Sequence, residues 1–203
     1  MLFHIVIFAG FDELDAIAPF EVLQNADAAG ADARVALVTA DDADSVTAAH
    51  GLHVSASGRL GEGERPDVVV VAGGGWNSRA PQGVRAEVAS GVIPAALVRL
   101  HTEGAVIATV CTGAMLAAAA GLTTGRPATT HHGAIADLRA SGARIMDARV
   151  VDDGDLVSAG GVTSGLDLAL WLVERYFGER IEKAVEAGME YERRGPVWRR
   201  GTS

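Results

Sequence analysis

The 203 residues contain one cysteine, Cys111, placed where the apolar run VIATV ends and Thr112-Gly113 leads into the helix-like AMLAAAA. Thr109 lies two residues before it and Gly113 two after. Small residues there let a strand and the following helix approach closely and hold a side chain in a tight turn, the cysteine form of a nucleophile elbow. A sulfur at a helix N-terminus feels the positive end of the helix dipole, so a thiol depressed from about 8.5 toward neutrality is expected. A lone cysteine is most often an inert buried residue. The order strand, Cys, Thr-Gly, helix favours chemistry instead.

Two further segments could serve that sulfur. In VVVVAGGGWN, Gly73, Gly74 and Gly75 follow a run of four valines. GxGxxG is absent and no acid follows at the ribose-binding distance, so a dinucleotide site is not supported. The better use is an oxyanion-type hole made by main-chain N–H groups near Gly74 and Thr112, with Gly75 and Trp76 at its side. In FDELDAIAPFEVL, acids at the start of a helix are mostly favourable only to its dipole. Asp15, followed by Ala16-Ile17-Ala18, is the one placed for burial. A buried carboxyl has a raised pKa and can donate a proton, and Ile17 would form a nearby wall. If Asp15 holds a proton beside Cys111, the two titrate together and the charge is expected on sulfur. His131 and His132, in ATTHHGA, open a helix from which one ring, His131 by preference, could reach Cys111 as base or orienting partner. No HxxH or HExxH spacing supports a metal, and no cofactor is expected.

Composition removes other chemistries. Sixteen of the seventeen basic residues are arginine and the one lysine is Lys183, so a P-loop lysine is missing and a Schiff-base lysine has one candidate only. A single cysteine excludes an internal disulfide, a CxxC pair and a Cys-rich metal site, which suits a reducing compartment. A net charge of −9 repels phosphate backbones, so no nucleic-acid partner is expected. The N-terminus MLFHIVIFAGF lacks a basic region and a cleavage site; a cytoplasmic location follows as the expectation. Residues 104–125 carry no charge, yet they are Ala- and Gly-rich, weakly apolar and split by Gly113. They read as a buried strand turning into a buried helix, with no membrane contact.

Positioning these residues requires alternating strands and helices, the pattern of a parallel α/β sheet covered on both faces. Strands are expected at Leu2–Phe8, Arg34–Thr39, Val68–Val71, Val106–Val110, Ala148–Val151 and Leu156–Ala159, the last two joined across the turn dipeptide Asp153-Gly154. Helices are expected at Leu14–Ala26, Val84–Ser90, Pro94–His101, Thr112–Ala120, His132–Ala140, Ser164–Phe177 and Glu179–Ala187. Residues 1–190 read as one domain. Residues 191–203, YERRGPVWRRGTS, read as an Arg-rich tail, either solvated or packed over its own or a partner's site with Trp198 as anchor.

The order FAGFDELDAIAPFEVL, AGGG, VCTGAMLAAAAGLTTGRPATTHH and SAGGVTSGLDLAL resembles the DJ-1/PfpI superfamily, and within it the isonitrile hydratase-like branch, which also includes sensor domains of AraC-type regulators. The resemblance runs to about Tyr191. It implies a flavodoxin-like three-layer sandwich with a mostly parallel central sheet and a cysteine nucleophile elbow, a homodimer, a nucleophile at Cys111 and a pocket acid at Asp15. Aspartate there and Cys-Thr-Gly at the elbow match the isonitrile hydratases; glyoxalase-like and protease-like relatives usually carry glutamate. Thr112 stands where PfpI-type proteases have histidine, which argues against peptidase activity. The regulator relatives continue into a helix-turn-helix region, and no such module is expected here.

The resulting expectation is a cysteine-dependent hydro-lyase with catalytic Cys111, Asp15 and Thr112, acting on a small molecule by hydrating an isocyanide to an N-substituted formamide through a Cys111 thioimidate. The alternatives are glyoxalase-type hydration of a reactive aldehyde and a non-enzymatic cysteine-based redox or ligand sensor.

Overall fold

The computed structural model describes residues 1–201. The longer strands form on apolar, largely β-branched runs and the two-residue ones only by pairing with a neighbour: β1 (Leu2–Val6), β2 (Arg34–Thr39), the three-residue β3 (Ser45–Thr47) and β4 (His53–Ser55), β5 (Gly58–Arg59), β6 (Val68–Val71), β7 (Val106–Thr109), β8 (Pro127–Ala128), β9 (Arg144–Ile145), β10 (Val150–Asp152), β11 (Leu156–Ala159) and β12 (Trp198–Arg199). Helices alternate with them: α1 (Glu13–Ala28), α2 (Val84–Ser90), α3 (Val92–Thr102), α4 (Ala114–Ala119), α5 (Ile135–Ala140), α6 (Ser164–Phe177) and α7 (Glu179–Met189).

The central sheet has the order β12-β10-β11-β7-β6-β1-β2-β5. Its neighbours run parallel except β10 and β11, which form the antiparallel pair expected around Asp153-Gly154. Helices α1, α6 and α7 pack on one another as one layer, and α2, α3 and α4 as another. The sheet between them is dry: all four valines of β6 are fully buried, as a doubly covered parallel strand requires. This is the flavodoxin-like sandwich. Among the described residues, no helix is long and apolar enough to cross a membrane; residues 104–125 contribute β7 and α4 instead.

Chain order reverses between β1 and β6: β1 pairs β2 on one side, while β6 and then β7 extend the other. A crevice opens outside the carboxyl ends of strands at such a switch point. The segments after β1, β6 and β7 carry Asp12 with Asp15 in the first turn of α1, Gly73–Gly75, and Cys111.

Two expected helices begin differently. Cys111–Gly113 forms a single 3-10 turn, so the helix after the elbow is the six-residue α4 rather than Thr112–Ala120, and His132–Ala134 likewise forms a 3-10 turn before α5. The reason is space. A Cβ on Gly113 would lie 2.2 Å from the Val71 carbonyl oxygen, so the chain after Cys111 passes hard against the end of β6 before α4 starts.

The tail is docked rather than solvated. β12 adds to the sheet edge beside β10, with Trp198 opposite Val151. Arg200 bonds the buried Asp153 carboxylate at 2.5 and 2.8 Å, the Arg193 main-chain N–H donates to Glu186, and the Tyr191 hydroxyl donates to Asp167.

The contact at Gly113 makes a test of the elbow. Gly113→Ala places a methyl group against main chain that cannot swing aside, so denaturant unfolding of this variant should show a loss of about 3 kcal/mol, the upper range for overpacking.

Candidate active site

Cys111 is 5% exposed and adopts φ +55°, in the left-handed region that a non-glycine residue occupies only when its surroundings hold it there. The holding bonds are visible. The Cys111 N–H donates to the Gly160 carbonyl at 2.9 Å, and the Thr130 hydroxyl donates to the Cys111 carbonyl at 2.7 Å. Val162, β-branched and also strained at φ +36°, presents its N–H to the sulfur, as does Thr112.

Asp15 lies in the first turn of α1 and is fully buried. The Gly73 N–H donates to its Oδ2 at 2.9 Å, whereas Oδ1, equally buried, has no hydrogen-bond partner. Gly73 is needed because a Cβ there would meet the Thr112 nitrogen and hydroxyl at 2.6 Å and Asp15 Oδ2 at 2.9 Å. The acid, the glycine run and the residue after the cysteine therefore occupy one close-packed cluster.

Burial pushes the Asp15 carboxyl up to about 8, with the neighbouring Asp12 carboxylate adding to the shift and the Gly73 N–H and the thiol opposing it. The raised acid agrees with expectation. The depressed thiol does not: burial pushes Cys111 up to about 12, the Asp15 charge adds to that, and the Val162 and Thr112 N–H groups offset only part of it. The dipole of a six-residue helix preceded by a 3-10 turn is outweighed by removal of the sulfur from water. At neutral pH the resting pair is a thiol beside a carboxylic acid, with no charge on sulfur.

A cavity of about 290 Å³ opens on Cys111, lined in part by Asp12, Gly74, Gly75, Trp76 and Thr112, and by His131 and Val162. The structure thus brings Thr112, Gly74, Gly75, Trp76 and His131 to Cys111, with Asp15 packed behind. Ile17 is corrected. It does not line this cavity, because two residues along α1 turn a side chain roughly 200° away from Asp15. The oxyanion role of Gly74 is corrected as well, since its N–H is donated to Thr112 Oγ1 at 2.9 Å.

His131 is held as a neutral ring. Its Nδ1 accepts the Gly133 N–H at 3.0 Å and lies 3.0 Å from Asn77 Nδ2, which leaves the ring proton on Nε2. Burial and the adjacent His132 lower its pKa. No hydrogen bond joins it to Cys111 among the described residues.

Asp12 is the principal residue that sequence reasoning passed over. It stands at the N-cap position of α1 without a side-chain cap bond, its main-chain N–H donates to the Gly73 carbonyl, and its carboxyl is raised by burial at the cavity that the residue lines. No local pattern separates it from Glu13, whose carboxylate is spent on His50. No group of acids, histidines and cysteine among the described residues could hold a metal.

The coupled pair makes two tests. Asp15 binds its proton more tightly folded, at about 8, than at its ordinary 3.8. Its contribution to stability is therefore complete below about pH 4 and is lost as pH rises toward 8. Unfolding measured across that window should lose this slope in Asp15→Asn. Iodoacetamide labelling of Cys111 should still be rising with pH above 9, because only thiolate reacts. Asp15→Asn, by removing a neighbouring negative charge, should move that profile to lower pH.

Residues 3–175 match the DJ-1/PfpI family. Isonitrile hydratase from Pseudomonas putida is 30% identical over 192 residues, 92% of this chain and 76% of the relative. An uncharacterized protein in the cpoL 5' region of Streptomyces lividans is 36% identical over 127 residues, 63% of this chain and 84% of the relative. Among solved structures, a ThiJ/PfpI family protein from Pseudomonas syringae superposes with a TM-score of 0.82 at 25% identity, covering 96% of this chain and 76% of that one. A cysteine-to-alanine mutant of a DJ-1 superfamily protein from Salmonella typhimurium superposes at 0.79 and 25% identity, covering 94% and 98%. The match over most of the chain, the shared sandwich and the cysteine at its elbow place this chain in the DJ-1/PfpI family.

Proposed function

We propose that the protein is a cysteine-dependent hydro-lyase of the isonitrile hydratase type, adding water to an isocyanide to give an N-substituted formamide. The observation that carries this reading is the buried Asp15 carboxyl, raised to about 8 and with Oδ1 unpartnered, packed beside Cys111. An isocyanide carbon takes a nucleophile and a proton at the same atom, and a neutral acid beside a neutral thiol supplies both.

As Sγ bonds to that carbon, Asp15 gives it a proton and takes up the proton leaving sulfur. The S–H bond breaks, S–C and C–H bonds form, and the product is a thioimidate on Cys111. Water then adds to the same carbon, one of its protons passing to nitrogen. Collapse breaks the S–C bond, the hydroxyl proton returns to sulfur through Asp15, and the formamide leaves. The sum is R–NC plus H2O to R–NH–CHO, with Cys111 and Asp15 restored. The Thr112 hydroxyl, fixed by the Gly74 N–H, keeps the glycine loop against the elbow.

The 30% identity to isonitrile hydratase supports the same reading. Glyoxalase-type chemistry is weakened by aspartate at the acid position. A peroxide sensor is weakened by a thiol raised by burial, since oxidation follows thiolate character. A homodimer acting on a small molecule in the cytoplasm belongs to this proposal.

Incubation with cyclohexyl isocyanide should yield N-cyclohexylformamide, detected by mass spectrometry. Cys111→Ala should give none, and Asp15→Asn should lose about 10²- to 10⁴-fold in kcat, the range of a positioned acid. Activity should decline above about pH 8 as Asp15 ionises. Absence of formamide with several isocyanides would overturn the assignment.

A further inference from the structure

The cavity at Cys111, about 290 Å³, is at the small end of the range for ligand sites, with Trp76 and Val162 as its large apolar lining residues. Two larger spaces adjoin it. One, of about 770 Å³, meets it at His131 and Val162 and is lined on its apolar side by Ile135, Ile145, Met146, Ala148 and Pro196. The other, of about 420 Å³, meets it at Asp12, Gly74, Gly75 and Ser78 and is reached past the Asp12 carboxyl and His50.

We infer that the 770 Å³ chamber is the subsite for the substrate's N-substituent, and that the preferred substrates carry an uncharged, apolar aliphatic or aromatic group there. This rests on the reading that Cys111 attacks the carbon end of an isocyanide. The charges around the chamber support an uncharged occupant. Arg149 is committed to the fully buried Asp167 carboxylate at 2.5 and 2.7 Å and to the Thr163 hydroxyl at 3.1 Å, so it is neutralised in place. Asp147 is exposed and would repel an anionic group.

His131 and Val162 form the wall that the two spaces share. A Cβ on Gly161 would fall 2.6 Å from the His131 ring, so glycine there is what lets the imidazole lie flat along the wall, and Asn77 and Gly133 fix it in that position. The tail takes part too, since Gly195 and Pro196, held by the docked residues on either side, line the chamber at its solvent-facing rim. A chamber lined by Ile, Met and Pro gains from covering apolar surface, whereas the space beyond Asp12 would strip water from a carboxyl for little apolar return.

The test reads the thiol itself. Cys111 is alkylated at alkaline pH with chloroacetamide and with N-phenethyl chloroacetamide, and the ratio of the two rate constants is compared among the wild type, Ala148→Trp and Met146→Ala, which fill and enlarge the chamber, and Ala80→Trp, which fills the space beyond Asp12. The ratio should fall about tenfold or more in Ala148→Trp, the discrimination available to a few apolar groups. It should rise in Met146→Ala and hold in Ala80→Trp. If Ala148→Trp fails to fold by circular dichroism, Met146→Ala decides alone. A ratio unmoved by the chamber variants, or moved by Ala80→Trp instead, overturns the subsite. The same variants are then assayed with methyl and phenethyl isocyanide. A shifted alkylation ratio with no isocyanide turned over sinks the reaction and leaves the subsite standing; turnover with an unmoved ratio does the opposite.

Discussion

A carboxyl group withdrawn from water beside a sulfur governs this site. Asp15 has no exposed surface, one oxygen bonded to a main-chain N–H and the other unpartnered. An ionised carboxylate in that position would be severely destabilised, so the group keeps its proton and becomes an acid usable at neutral pH. The same dryness raises the thiol. The outcome is a neutral proton-carrying pair in place of the thiolate that a helix N-terminus alone would suggest, and it suits adding a sulfur and a proton to one carbon.

The pair is held together by close approach of main chain. Gly73 admits Asp15 and Thr112, and Gly113 admits the end of β6; a Cβ at either position would collide at under 3 Å. Cys111, which carries the sulfur, and Val162, which presents its main-chain N–H to it, both have positive φ. Strained backbone of this kind costs of order 1–3 kcal/mol per residue and persists where the surrounding fold over-determines it. Here the hydrogen bonds from Thr130 and to Gly160 supply that constraint.

The arginine-rich, acid-rich composition finds its use away from the sulfur. Asp153 accepts from Arg126 and Arg200, Asp152 from Trp171 and Arg175, and Asp167 from Arg149 and Tyr191. The planar guanidinium satisfies buried carboxylates that a lysine would satisfy less completely. The bonds from Arg200 and Tyr191 fasten the tail to the core on either side of Gly195 and Pro196, which line the chamber's exposed rim.

Long, strongly patterned elements were legible in the sequence: Val68–Val71, Val84–Ser90 and Ser164–Phe177 form over the expected residues, because a buried valine run or an apolar helical stripe specifies its own period. The two- and three-residue strands β3, β4, β5, β8, β9 and β12 were not, since so short a ladder has no period and exists only through its partner. At the site, Cys111 and Asp15 could be picked out locally, one from its strand-turn-helix setting and the other from the apolar residues behind it. The sequence by itself thus determined the fold class and singled out Cys111 and Asp15 as candidates, since both rest on short contiguous patterns. Tertiary structure alone decided the sense of the thiol's shift, the occupation of the Gly74 N–H by Thr112, the turning away of Ile17 and the placing of Asp12 at the cavity, because desolvation and close approach are set by chain segments tens of residues apart.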